Sequence, residues 1–161
     1  MANYPVLFDF RDFIAGRGFV ADVRMHGRGI MTQEGTAGWW YYGVEPGAIA
    51  ASGGTPLEAY GDFRERLKLY LFDVAKDAGT FLHFRDEIER FMHQKCDETE
   101  MEWLAAVKAI RNQSFKPEAP FRELPTRDAD SSPQVEVHNL LDKPDTVSAE
   151  MNSQDVLAAA A

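Results

Sequence analysis

The chain has one cysteine, Cys96, in 161 residues. An internal disulfide is therefore excluded, and nothing in the cysteine usage points to an oxidising compartment. No apolar run approaches the roughly 18 residues needed to cross a bilayer. The N-terminus MANYPVLFDFRDF lacks a basic start followed by an apolar block, so no signal peptide is expected and a cytoplasmic location is. Positive charge is also scarce. Seventeen Lys and Arg face 26 Asp and Glu, for a net charge of −9. A chain of that sign repels nucleic acid and suits a basic protein partner. Repeats of solenoid length are absent.

Apolar and aromatic residues are not scarce. The chain is 45% hydrophobic, with 11 Phe, 5 Tyr and 3 Trp, enough to build a core. The charge is uneven. Residues 112–161 carry nine acids against four bases, over half the net charge in under a third of the chain. That segment is rich in Pro, Ser and Asp and shows no sustained period. It reads as an acidic tail, disordered or ordered by a partner, beyond a folded unit at 1–111.

Within 1–111, GFVADVRMH (18–26) alternates with the period of two expected of a half-buried strand. The following GRG marks a turn or a bulge, and GIMTQE continues the strand or starts a partner. EGTAG (34–38) reads as a loop, GWWYYGV (38–44) as a strand and AIAAS as a short third strand ending at Gly53-Gly54. Thr55, Pro56 and Glu58 then form a helix start: an N-cap hydroxyl, a proline at the first helical position and the acid of a capping box. Leu57, Tyr60, Phe63, Leu67, Tyr70 or Leu71, and Val74 fall on one stripe, ending near Ala78 with Gly79 as the C-terminal glycine. Thr80 caps a second helix with Phe81, Phe84, Ile88 and Phe91 inward. A third carries Met101, Leu104, Val107 or Lys108, and Ile110. The predicted fold is α+β: a three-stranded antiparallel sheet packed by an amphipathic helix, with two further helices and a largely irregular acidic tail.

Pro46, Gly47, Gly54, Thr55, Glu58, Ala59 and the helix through Leu71 resemble the best-marked part of the HicB-type antitoxin family. The strands GFVADVRMH and GWWYYGV look like its preceding strands, and the resemblance spans residues 18 to 78 or so. It implies a truncated ribonuclease H-like βββα domain without catalysis, which oligomerises and binds a small messenger-RNA-cutting toxin. The chain departs from that pattern in a long loop before GWWYYGV, two added helices, and a C-terminus without a ribbon-helix-helix or helix-turn-helix module. Direct DNA binding is therefore not expected.

Each candidate site has a bland competitor. Gly53-Gly54 before a helix could cradle phosphate. Yet GGTPLEAYG lacks the glycine spacing and a placed lysine, Pro56 removes an N–H, and Glu58 adds negative charge, so turn-plus-cap is the better reading. Asp22 could open a two-metal site, but its face-mates Val20 and Arg24 do not help and only Glu45 follows, which leaves a solvated strand face. His93 and Cys96 lie three apart without a second zinc-spaced pair, and His26 and His83 are isolated. No nucleophilic triad is legible. No cofactor, no metal and no enzymatic activity are expected.

WWYY is the most informative string. It puts Trp39 and Tyr41 on one face and Trp40 and Tyr42 on the other. One helix layer covers one face, so the second pair is either a partner surface or lies under a later helix. In the tail, Val135 and Val137 of VEVHNLL alternate, which lets the segment with Leu140 add to a sheet edge in partner binding, or be a disordered stretch with a few apolar residues. Asp128, Asp130, Glu136, Asp142 and Asp145 would steer a basic partner. LAAAA (157–161) favours helix but is too short to hold one alone. The expected function is an antitoxin-like module that covers the active surface of a small basic RNA-cleaving toxin. The alternatives are an oligomeric scaffold or accessory protein, from a phage or mobile element, and a metal-dependent nuclease.

Overall fold

A computed structural model describes residues 2–36, 38–141 and 156–161, with Val156 described by its backbone alone. The long hairpin at its centre pairs β1 (Asn3–Gly16) with β2 (Phe19–Glu34) along its whole length, from Asn3 opposite Thr32 to Gly16 opposite Phe19. β1 has no counterpart among the expected strands, and sequence alone leaves open whether GRG bends or ends β2. The GRG at 27–29 does not end the strand. It bends it, with a register shift between Arg28 and Gly29 against β3 (Gly38–Glu45). Two glycines there make room for rings. A Cβ on Gly27 would lie 2.6 Å from the Phe8 ring, and one on Gly29 would lie 2.2 Å from that of Tyr41. Gly29→Ala is expected to destabilise the fold by about 1–3 kcal/mol through overpacking. The loss should shrink when Tyr41 is also shortened to Leu, read by urea unfolding of the four variants in the cycle.

Among the described residues the sheet has seven strands, not three, and is mixed. β4 (Ala50–Gly53) pairs with β3, β3 with β2, and β2 with β1. Beyond β1 lie β7 (Val156–Ala160) and β5 (Thr126–Arg127), which run parallel to each other. β6 (Gln134–Asn139) pairs with β2 over Ala21–His26, on the edge that β3 uses over Arg28–Glu34. The three-stranded sheet and the largely irregular tail are thus both corrected. The tail supplies β5, β6 and β7. The physical reason is that the hairpin has edges longer than β3 can cover, and unpaired strand edges demand backbone partners. Asp142 and Asp145 lie outside the described residues.

Three helices cover the sheet. α1 (Pro56–Asp77) and α2 (Phe81–Met92) pack on one face, where Phe63, Leu67, Leu71, Phe84 and Ile88 meet Val6, Phe8, Phe19, Val23 and Tyr41. α3 (Asp97–Arg111) packs on the other, where Trp103 and Val107 meet Leu7, Ile30, Val44, Ala158 and Ala160. The expected inward stripe of α3 is corrected. Val107 is buried as expected, but Met101 and Leu104 are 73% and 54% exposed, and Trp103 and Ala106 are buried in their place. Burying Trp103 removes far more apolar surface from water than burying Met101 would. α1 starts as expected: Thr55 Oγ1 accepts from the Glu58 N–H at 3.1 Å, and Pro56 opens the helix. It is capped by Ala78, and Gly79 takes no left-handed conformation. Among the described residues no helix is long and apolar enough to cross a membrane.

Candidate functional site

The period of two in β3 sorts the WWYY string as its spacing dictates. Tyr41 is fully buried on the α1 face, its ring 4.2 Å from that of Phe63, and burial pushes its phenol well above the ordinary value. Trp39 lies on the same side, beyond the reach of α1, against Tyr4 and Phe121. Tyr41 is core, and Trp39 is partly buried against it. Trp40 and Tyr42 stand on the α3 face, beyond Val44, and α3 covers them only in part. Their rings stack, 5.8 Å apart with planes 8° from parallel.

Acids surround this pair. The Tyr42 hydroxyl donates to Glu34 Oε1 at 2.6 Å. Burial, that bond and the charges of Glu34 and Glu102 push its phenol up to about 12. A recess of about 520 Å³ opens beside it, lined by Asn3, Thr32, Glu34, Tyr42, Glu98, Thr99 and Glu102. Glu98 and Glu102 come from the first two turns of α3, one helical step apart on the face nearest β3. Among the described residues no lysine or arginine pairs with Glu34, Glu98 or Glu102. The next acid on the helix differs: Glu100 takes Arg28 at 3.0 Å and Lys95 at 3.7 Å, and the Arg28 bond holds its carboxyl below the usual range. Arg28 also lies over the Trp103 ring, 5.0 Å from its centroid, and so fixes α3 to the sheet.

A second cluster lies lower on the same face, below the end of α3. The expectation of a solvated carboxylate at Asp22 is corrected. Asp22 is 4% exposed and takes Arg11 at 3.0 Å on each oxygen, with Arg24 at 3.3 Å. A hairpin register that sets Arg11 opposite Arg24 and Asp22 opposite Phe13 brings these groups together. His26, expected to stand alone, has its Nδ1 2.6 Å from Asp9, and Asp9 also accepts from Arg127 of β5. A shallow recess of about 230 Å³ lies between Asp9, Arg11, Arg24, His26, Gln134 and Glu136. Here each described acid of the hairpin faces a base, so the cluster locks strands together rather than presenting free charge. Among the described residues no three of His, Cys, Asp and Glu stand close enough to hold a metal ion.

The other sequence candidates resolve as local structure. Glu58 Oε2 accepts from the Gly54 N–H at 2.8 Å, so the helix start is occupied by its own carboxylate. A Cβ on Gly53 would lie 2.5 Å from the Ala59 nitrogen, which explains the glycine by close approach of helix to strand. His93 Nδ1 lies 3.7 Å from Glu45, and Cys96 precedes α3 with its thiol pKa lowered by hydrogen bonds from Thr99. In the tail, Val137 is buried and Val135 half-buried against the core, both within β6. Leu140 donates its N–H to the Val20 carbonyl. The structure therefore separates the residues that sequence grouped as one partner surface. Tyr41 and Val137 are buried, while Trp39, Trp40, Tyr42, Val135 and Leu140 are partly exposed. Glu34, Glu98 and Glu102 were missed, because the β2–β3 register brings Glu34 to Tyr42 and the packing of α3 brings Glu98 and Glu102.

No family model matches the chain, and no curated protein or solved structure is detectably similar to it.

Proposed function

We propose that this chain is a non-enzymatic binding module for a small basic protein, docked on the Trp40–Tyr42 shelf. The observation that carries the reading is the stacked, half-covered aromatic pair bordered by three carboxylates with no basic partner among the described residues. Such a surface suits arginine and lysine side chains. Guanidinium and ammonium groups are attracted to ring faces and to carboxylates at once, and arginine stacks on aromatic planes. Tyr and Trp are the residues most enriched where binding energy concentrates. A net charge of −9 raises the encounter rate with a basic partner.

The specific form is the antitoxin mode that the resemblance over residues 18–78 implies. The partner is an RNA-cleaving toxin in the cytoplasm, silenced by covering its active surface. Exposed Met101 and Leu104 extend the shelf along α3 as an apolar margin. The test is affinity purification of the tagged full chain from the cells that express it. A stoichiometric small basic protein is expected. Trp40→Ala should weaken its binding by about 2 kcal/mol, near thirtyfold. The triple replacement of Glu34, Glu98 and Glu102 by Lys should abolish capture. Recovery of a clean homo-oligomer, or of a partner indifferent to both variants, sinks the reading.

A further inference from the structure

α1 buries one stripe of its surface, with Phe63, Leu67, Leu71 and Ala75 turned to the core. Its outward line carries Glu65, Leu69, Phe72 and Lys76, all exposed and spaced four, three and four residues apart. Those steps set the four side chains along one seam, the spacing by which two helices pack side by side. Leu69 is 60% exposed and Phe72 40% exposed. Arg66 and Asp73, also exposed, flank the seam on one side, and Arg66 takes Asp62 at 2.9 Å one turn back.

Single exposed apolar residues are common and need no partner. The order of the charges around this pair is what selects one. Along the helix the seam and its flank read acid, base, apolar, apolar, acid, base: Glu65, Arg66, Leu69, Phe72, Asp73, Lys76. An antiparallel copy centred between Tyr70 and Leu71 sets Glu65 level with Lys76 and Leu69 level with Phe72. Arg66 then lies about 3 Å along the axis from Asp73. A parallel copy would instead set Glu65 on Glu65 and Lys76 on Lys76, which like-charge repulsion disfavours. Acids and bases balance in this string, so the face has no sign with which to attract the basic protein proposed above.

We propose that a second copy of this chain docks on this seam, α1 against α1, antiparallel about a two-fold axis between Tyr70 and Leu71. The symmetry makes every contact occur twice. Leu69 and Phe72 of both copies form the dry centre, and the pairs of Glu65 with Lys76 and of Arg66 with Asp73 border it. Arg66 can serve Asp62 and a second carboxylate together, because a guanidinium carries several donors in a fork. An apolar centre this small gives a micromolar rather than a nanomolar dimer. The seam and the Trp40–Tyr42 shelf lie on opposite faces of the sheet, so the two readings are independent, and a dimer that carries the basic protein satisfies both.

The experiment is sedimentation equilibrium of the full chain from micromolar to millimolar concentration. The wild type should pass from monomer to dimer. Leu69→Lys, a good helix former at an exposed position, should weaken association about tenfold or more with the circular dichroism spectrum unchanged. Charge reversal tests the register. Glu65→Lys and Lys76→Glu each turn two attractive pairs into two repulsive ones, and each should weaken association about tenfold. The double variant restores opposite charges and should return to within about threefold of the wild type. A chain that stays monomeric across the series overturns the proposal. So does a dimer indifferent to Leu69→Lys, or a double variant no tighter than the single ones. A dimer that captures no basic protein from cells supports this inference and sinks only the reading of the shelf.

Discussion

Asp22→Ala is expected to cost about 3–5 kcal/mol of folding stability, among the largest effects of any single charge removal in this chain. The side chain sits on a sheet face at 4% exposure and is doubly bonded to Arg11, whose own side chain is 9% exposed. Removing the carboxylate takes the Asp22 charge away from the buried Arg11 guanidinium and from Arg24. The penalty is mostly the desolvation of the cation left behind, so it is not the net worth of the pair. Replacing both partners by apolar residues of similar size, as in Arg11→Met with Asp22→Leu, should therefore recover most of the loss. Urea unfolding of the two single variants and the double variant measures this. A single-variant loss under about 1 kcal/mol would show that water reaches the pair and that the site is a surface bridge.

Phe63→Ala is expected to cost about as much, 3–5 kcal/mol or so, for a different reason. Its ring lies 4.8 Å from that of Phe8, 4.2 Å from Tyr41 and 6.0 Å from Tyr60, and it is fully buried. It is the point at which α1 touches both β1 and β3, so truncation leaves a cavity walled by three rings that have little room to collapse. Phe72, on the same helix but facing solvent, provides the control. Phe72→Ala should change stability by less than about 1 kcal/mol. If both variants melt alike, the packing of α1 on the sheet is not the source of stability described above.

What sequence revealed and what it hid follow from range. The start of α1 was legible because Thr55, Pro56 and Glu58 act on one another within four residues. The facing of WWYY was legible because alternation is a property of the strand alone. β1 was not, although Tyr4, Val6, Phe8 and Phe10 alternate. Leu7 and Phe13 add apolar residues to the other face, because α3 buries Leu7 there, and the pattern blurs. The stripe on α3 was misassigned for a related reason: Met101 and Trp103 both suit a core, and only the position of the sheet decides between them. LAAAA was read by helix propensity and lies in β7, where pairing with β1 overrides a preference of a few tenths of a kcal/mol per residue. Short alanines at Ala158 and Ala160 let α3 sit close to the sheet. The charged cluster was out of reach altogether. Arg11 and Asp22 meet through a hairpin register, and Asp9 and Arg127 are 118 positions apart. For the shelf, sequence supplied the two rings and not the three carboxylates that give it a sign.

The way β7 covers β1 also sets a timetable. Phe8 pairs with Leu157 and Val6 with Ala159, so the outer neighbour of the first strand is made about 150 positions after it. At 5–20 residues per second, a ribosome takes roughly eight to thirty seconds over that interval. Until β6 and then β7 are made, the hairpin of β1 and β2 holds incomplete edges. A nascent chain in that state is a ready acceptor for any extended strand nearby. Its yield in the cell therefore depends on how quickly its last residues arrive, as well as on the stability of the finished sheet.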